Sequence, residues 1–246
     1  MAKNKLRKFA EMALLDNVFQ GNFEQLVAHD FELKGKWREQ YFHNDNSIVV
    51  ELGCGKGEYT VGLAKLFPDK NFIGVDIKGA RMYDGATQAA KENLTNAAFI
   101  RTRIELIDRF FAADEVSEIW LTFPDPQMAK PRKRLIGTKM LALYIKFLCD
   151  GGSLHLKTDS NFLFRYTEEM LKANAIAPEI ATNNLYKDLA NNEILSIKTY
   201  YEQKWLNYGL DIKYIKFSMP HKALVEPTVE IERDTYHSVG YGAQEK

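Results

Sequence analysis

Two cysteines in 246 residues provide no disulfide framework of the kind that braces small secreted folds, and neither Cys54 nor Cys149 has partners at metal-ligand spacing, so no metal site is expected. Both are read as small packing residues whose thiols stay reduced. Long apolar runs are missing as well: stretches such as 48–52 fall far short of the roughly 20 residues that a membrane span needs. The first ten residues carry Lys and Arg without an apolar region or a small-residue cleavage site behind them, which argues against a secretory signal and for a cytoplasmic protein. Excess charge of either sign is absent, because 33 Lys and Arg balance 33 Asp and Glu. Nonspecific coating of nucleic acid rests on displaced counterions and needs a positive surplus, so any RNA contact by this chain must be local. Two basic clusters offer such contacts, one at Lys3, Lys5, Arg7 and Lys8, the other at Lys130, Arg132, Lys133, Arg134 and Lys139. Internal repeats and low-complexity tracts are also lacking.

What is present reads as one α/β domain with a modest extension, a size that a single layered core accommodates. Residues 1–45 mix aromatics with charge and show no strand alternation; they are read as an N-terminal extension with a short helix. From residue 46 onward, apolar runs of four to six residues alternate with longer amphipathic stretches, the βαβ pattern of a mostly parallel sheet with helices on both faces. Strands are expected at 48–52, 71–75, 97–101, 118–122, 153–157 and 211–218, and helices at 59–67, 80–93, 104–111, 138–149, 161–173 and 197–208. Gly151 and Gly152 are expected to turn the chain into the fifth strand. The segment 122–137, with two early prolines and a basic cluster, is too long for an idle connection, and it follows the carboxyl end of the fourth strand, where ligands bind in open α/β sheets.

The sharpest local signal is Val49-Val50-Glu51-Leu52-Gly53-Cys54-Gly55-Lys56-Gly57-Glu58, a buried strand that ends in an acidic residue and runs into a glycine-rich turn. Glycines let the backbone bend tightly and approach a ligand where a Cβ would collide. The spacing is G-x-G-x-G rather than the G-x-G-x-x-G that sets a pyrophosphate against a helix N-terminus, which speaks against a nicotinamide dinucleotide and a dehydrogenase. A carboxylate at Glu51 suits a ligand with a positive ammonium and sulfonium better than a pyrophosphate. Asp76 closes the next strand in Phe72-Ile73-Gly74-Val75-Asp76, where a carboxylate can accept both ribose hydroxyls, so an adenosine moiety is implied. Glu51 and Asp76 on either side of the glycine turn resemble the first two motifs of class I S-adenosylmethionine methyltransferases.

After the fourth strand comes Ile119-Trp120-Leu121-Thr122-Phe123-Pro124-Asp125-Pro126-Gln127, followed by Lys130-Pro131-Arg132-Lys133-Arg134. Amino-group methyltransferases usually carry an N/D-P-P-Y/F tetrad here; this chain has F-P-D-P and a basic run. Together with Lys157-Thr158-Asp159 on the fifth strand and Thr199-Tyr200-Tyr201-Glu202 near the end, the pattern resembles the tRNA guanine-N7 methyltransferases over about 44–216. The resemblance implies a Rossmann-like class I methyltransferase fold, S-adenosyl-L-methionine as cofactor, and transfer of its methyl group to N7 of a guanosine in the variable loop of tRNA. It implies Asp125 as the catalytic residue and Glu51, Gly53, Gly55, Asp76, Arg103 and Asp125 as cofactor contacts. Lys130, Asp159, Thr199 and Glu202 are implied as substrate contacts. Arg103 stands where many members have an acidic residue, with Glu105 two positions on, and Gln127 replaces the commoner Trp. Lys133 competes with Lys130 for the role of substrate lysine. Two other functions fit parts of the pattern: a class I methyltransferase for another nitrogen acceptor, small molecule or protein, and a noncatalytic RNA-binding module on the same fold. The partner expected is tRNA and no membrane, with monomer and homodimer both open.

Overall fold

The structure, a computed structural model, describes residues 2–21 and 23–235, with side chains from residue 6 onward. Lys3 and Lys5 of the first basic cluster thus lie outside the described side chains. Eight strands form one sheet in the order β1-β4-β3-β2-β5-β6-β8-β7: β1 (Val18–Gln20), β2 (Ile48–Leu52), β3 (Asn71–Asp76), β4 (Ala97–Arg101), β5 (Val116–Thr122), β6 (Leu148–Thr158), β7 (Ile180–Thr182) and β8 (Lys213–Met219). β1 through β6 pair in parallel, and β8 runs antiparallel to both β6 and β7. The chain lays β3 and β4 to one side of β2 and then returns to lay β5 and β6 on the other, so the order reverses between β2 and β5. Ligands in open α/β sheets bind beyond the strand ends at such a reversal.

Strand alternation splits the core into two layers. Ile48, Val50 and Leu52 of β2 pack with Ile119, Leu121, Leu154, Leu156, Ile215 and Phe217 on one face, while Val49 joins Trp120, Tyr214, Tyr59 and Trp205 on the other. The first face is covered by α5 (Thr138–Tyr144) and α6 (Asn161–Ala173), the second by α3 (Glu58–Leu66), α4 (Gly79–Lys91) and α9 (Tyr200–Asn207). Helix starts follow their capping chemistry. The Ser160 hydroxyl accepts the Leu163 N–H at the head of α6, and Thr199 and Glu202 form a reciprocal capping box at the head of α9, which satisfies amide donors that the first helical turn leaves free.

The residues before β2 are tied into the same sheet. A helix, α1 (Ala2–Met12), packs against α4, β1 adds an edge strand beside β4, and Trp37 is fully buried with its indole N–H on the Phe110 carbonyl at 2.8 Å. The strand at β1 was not expected, and neither were β7, α2 (Phe23–Ala28), α7 (Leu185–Asp188) and α8 (Glu193–Ser196). All are six residues or fewer, too short to display a period. The helix expected at 104–111 is a 3-10 helix over Ile104–Arg109, and the one expected at 138–149 stops at Tyr144 because β6 already begins at Leu148. Gly151 does take a left-handed φ of 71°, but inside β6: the pairing with β5 jumps from Val116↔Leu148 to Glu118↔Ser153 across it. The glycine pair absorbs extra residues within a strand instead of leading into one.

Candidate active site

A cavity of about 230 Å³ opens at the reversal point, walled by the residues that follow β2, β3, β5 and β6 and by the head of α9. The glycines of the first turn serve two different purposes. Gly53 and Gly55 have φ of 83° and 57°, and a Cβ on Gly55 would meet nothing within 4 Å; these two face the open cavity. Gly57 and Gly85 allow the turn to press onto α4, where a Cβ on Gly85 would lie 2.4 Å from the Lys56 carbonyl. Asp76 locks the turn from the next strand, its carboxylate accepting the Gly55 N–H at 3.0 Å and the Lys78 N–H at 2.7 Å.

Glu51 is not in the cavity wall. It lies below the turn, 2% exposed, and accepts the Thr60 N–H at 2.9 Å, the Thr60 hydroxyl at 2.5 Å and the Thr122 hydroxyl at 2.5 Å. Burial pushes its carboxyl up from 4.5 to about 7, against the pull of those hydrogen bonds from Thr122 and Thr60. Because the folded value exceeds the unfolded one, the folded state holds a proton that the unfolded chain releases. The contribution is full below the unfolded value and is lost as the pH rises through about 7. Between about pH 5 and pH 8 wild-type protein should lose roughly 2 to 3 kcal/mol relative to Glu51→Gln, read from denaturant unfolding at each pH. Parallel stability profiles for the two proteins would rule out the raised value.

The side of the cavity opposite the glycine turn is built by the loop after β5. Phe123 and Gln127 adopt left-handed φ of 52° and 48°, and between them Asp125 accepts the Gln127 N–H at 3.0 Å, an Asx turn that holds the carboxylate at the cavity. Arg134 is the clamp of this loop. It is 4% exposed, donates to the Pro126 and Gln127 carbonyls at 3.1 and 3.3 Å, and lies over Tyr166 and Phe162 of α6 at 3.9 and 4.8 Å. Of the basic run, Lys130, Arg132 and Lys133 are exposed and Arg134 is not. The expectation that Arg134 offers charge to an RNA phosphate is therefore corrected: its guanidinium is taken up by loop carbonyls and two rings.

Asp159, which follows β6, is nearly buried in the wall, and its carbonyl accepts Lys213 Nζ at 3.0 Å. Thr199 lines the cavity while its hydroxyl caps Glu202 N–H at 3.1 Å. Glu202 itself is fully buried behind the wall. Its carboxylate meets Lys157 Nζ at 2.8 Å, accepts the Tyr186 hydroxyl, and takes the Thr199 N–H at 3.4 Å. Lys157, equally buried, also donates to the Leu195 and Ile197 carbonyls at 2.8 and 3.0 Å, and burial lowers its pKa.

Six of the residues singled out from the sequence thus meet in one cavity: Gly53, Gly55, Asp76, Asp125, Asp159 and Thr199. Four do not. Glu51 and Glu202 lie beneath it, already engaged with protein donors, and Lys130 and Arg103 stand exposed outside its wall, Arg103 with its guanidinium 5.9 Å from the Phe23 ring. Glu105 is exposed as well. The wall also includes Lys56, Glu58, Arg81, Tyr201 and Trp205; Arg81 and Tyr201 meet across it, 5.5 Å from guanidinium to ring. Among the described residues no His, Cys, Asp or Glu group is placed to hold a metal ion, and no helix is long and apolar enough to cross a membrane.

A family model described as "Putative methyltransferase" matches residues 45–215. The chain is 56% identical over 239 residues to a tRNA (guanine-N(7)-)-methyltransferase of Bacteroides fragilis (strain YCH46), covering 97% of this chain and 95% of that protein. It is 55% identical to the protein of the same description from Porphyromonas gingivalis, covering 92% and 95%. Among solved structures, a 30S ribosomal A1408 methyltransferase from an uncultured bacterium superposes with a TM-score of 0.56 at 17% identity, covering 77% of this chain and 95% of that one; this likeness speaks to the fold, a class I methyltransferase sheet. Identity above one half along nearly the whole chain, with the P-D-P loop, Asp159 and Thr199 gathered at one cavity, leads to one assignment: the chain belongs to the tRNA (guanine-N(7)-)-methyltransferase family.

Proposed function

We propose that this protein transfers the methyl group of S-adenosyl-L-methionine to N7 of a guanosine in the variable loop of tRNA, and that it works in the cytoplasm. The observation that carries the reading is the convergence on one cavity of a nucleoside-type turn, Gly53, Gly55 and Asp76, with Asp125, Asp159 and Thr199. The residues fit the cofactor: Gly55 presents open space where a side chain would stand, and Asp76 sits at the end of β3 with its carboxylate on the turn. Gly53, Gly55 and Asp76 would hold it from one side and Asp125 from the other; Arg103 and Glu105, outside the wall, are left out. When bound, the cofactor supplies a methyl group on a positively charged sulfur.

Guanine N7 carries an in-plane lone pair and no proton, so the protein has no proton to remove from the nucleophile. Its task is placement, which can supply about 7 to 11 kcal/mol of a barrier. The methylated base is cationic, and the Asp125 carboxylate at the cavity stabilises that charge as it develops. Asp159 accepts the N–H donors on the guanine edge, a pairing that suits a carboxylate. The base must leave its stack to enter. Lys130, Arg132 and Lys133 take backbone phosphates beside the opening. Replacing those three by Ala, with Arg134 retained, should weaken tRNA binding and reduce the slope of log K against log salt by about 2 to 3. An unchanged slope removes the loop from the interface.

The function is tested by incubating the protein with labelled S-adenosyl-L-methionine and an unmodified tRNA transcript, then cleaving with aniline after reduction, which breaks the chain at N7-methylguanosine. Cleavage at one variable-loop guanosine is expected. Label that enters a small molecule or protein and never tRNA would overturn the reading.

A further inference from the structure

Three aromatic residues at the head of α9, Tyr200, Tyr201 and Trp205, have separate fates. Trp205 is buried against the second core layer, and Tyr201 forms part of the cavity wall. Tyr200 is neither: it is 55% exposed. Its backbone is nevertheless fixed, since its N–H is donated to the Glu58 carboxylate at 3.1 Å and Glu58 is itself in the wall. The ring stands edge-on to Tyr201, 5.5 Å between centroids and 82° between planes. The Lys56 ammonium lies 4.1 Å from the ring centroid, and Lys56 projects from the glycine turn into the same wall. An exposed ring on a rigid helix start, with a cation held at its face and a ligand cavity next to it, has the composition of a nucleobase stacking platform: a π-face for any base and a positive charge for the adjoining phosphate.

We propose that Tyr200 and Lys56 form a platform at the rim of the cavity for the nucleotide next to the target guanosine, with the neighbouring base on the Tyr200 ring and its phosphate drawing Lys56 off the ring. The inference rests on tRNA being the substrate. Holding the neighbour on the rim keeps the target base from stacking back on it. Because stacking tolerates any base, the platform favours an unstacked strand without reading its sequence.

The test uses the full-length protein. Tyr200→Ala should raise the KM for tRNA by about 5- to 100-fold with kcat and cofactor affinity changed by less than about threefold, and Tyr200→Trp should restore the KM. Lys56→Ala should lower the salt slope by about 1, whereas Tyr200→Ala should leave it unaltered. In the Tyr200→Trp protein, tRNA should quench an exposed tryptophan emission that the wild type lacks, because Trp37, Trp120 and Trp205 are all buried; Trp205 borders the cavity, so the quenching is read as the excess over wild-type protein. An unchanged KM in Tyr200→Ala, or unquenched emission while the same protein methylates tRNA, overturns the platform and leaves the substrate assignment standing. Failure of the wild-type protein to bind or methylate tRNA overturns both.

Discussion

Lys157→Met will destabilise the protein by about 3 to 5 kcal/mol, the usual result when one member of a buried ion pair is removed and its partner is left charged and unpaired. Both Lys157 and Glu202 are completely shielded from solvent, with 2.8 Å between Nζ and Oε1. In the variant the Glu202 carboxylate keeps only the Tyr186 hydroxyl and the capping contact with Thr199, and the Leu195 and Ile197 carbonyls lose their donor. For a chain of this length the loss corresponds to a fall in Tm of about 6 to 20 °C. Replacing both partners by apolar side chains of similar volume, Lys157→Met with Glu202→Met, should recover most of the loss, since a buried pair often gives way to hydrophobic packing at little cost. A Lys157→Met protein that melts with the wild type would mean that the pair contributes nothing to the fold. The same geometry bears on Glu202, which the family motif suggests as a guanine contact. Its acceptor sites face Lys157, Tyr186 and Thr199, which leaves it placed to hold the head of α9 rather than to meet a base.

Asp125→Ala is expected to act on turnover and not on the fold. Asp125 is exposed and, among the described residues, its hydrogen-bond partner is the Gln127 N–H, while Arg134 clamps the loop independently through the Pro126 and Gln127 carbonyls. On the proposed mechanism the lost carboxylate faces developing positive charge, and its removal should cost at least about 10²- to 10³-fold in single-turnover rate. Affinity for S-adenosyl-L-methionine, measured by equilibrium dialysis, should stay within a few fold because Gly53, Gly55 and Asp76 are untouched. Undiminished methyl transfer would take Asp125 out of the chemistry. Asp125→Asn adds a finer comparison: it keeps the turn with Gln127 and removes only the charge.

The wall of the cavity formed by the glycine turn and Asp76 was legible in the sequence because it is made locally. A strand, a glycine turn and a second strand ending in Asp76 lie within 48–76, and spacing alone orders them. The opposite wall, with Asp125, Asp159 and Thr199, was legible as a set of short motifs but not as a geometry. Nothing in the run Lys130-Pro131-Arg132-Lys133-Arg134 says which cation turns inward; the answer lies in Phe162 and Tyr166 on α6, whose rings receive Arg134. Likewise the motif Lys157-Thr158-Asp159 does not say that Lys157 pairs with Glu202, far along the chain; the fold brings the two together beneath the same wall. For Glu51 the strand position was evident, but its burial under Thr60 and Thr122 depends on how α3 settles on the sheet. Strand and helix ends missed their marks where geometry overrides pattern, above all at the Gly151 irregularity that lets β6 begin before the expected helix has ended.

The strand order carries a consequence for how such a protein can be made and remade. Read from one edge, the sheet runs β1-β4-β3-β2 and then β5-β6-β8-β7, so each half is contiguous in the chain and the cavity straddles the seam. As the polypeptide emerges during synthesis, the half bearing Gly53, Gly55 and Asp76 has all its strand neighbours before Asp125, Asp159 or Thr199 has been added. The seam also divides the labour proposed for the site, with Gly53, Gly55 and Asp76 of the donor's holders before it and most of the residues proposed for the acceptor after it. Genetic recombination at that seam could exchange the half that selects an acceptor while the half that holds the methyl donor is inherited intact.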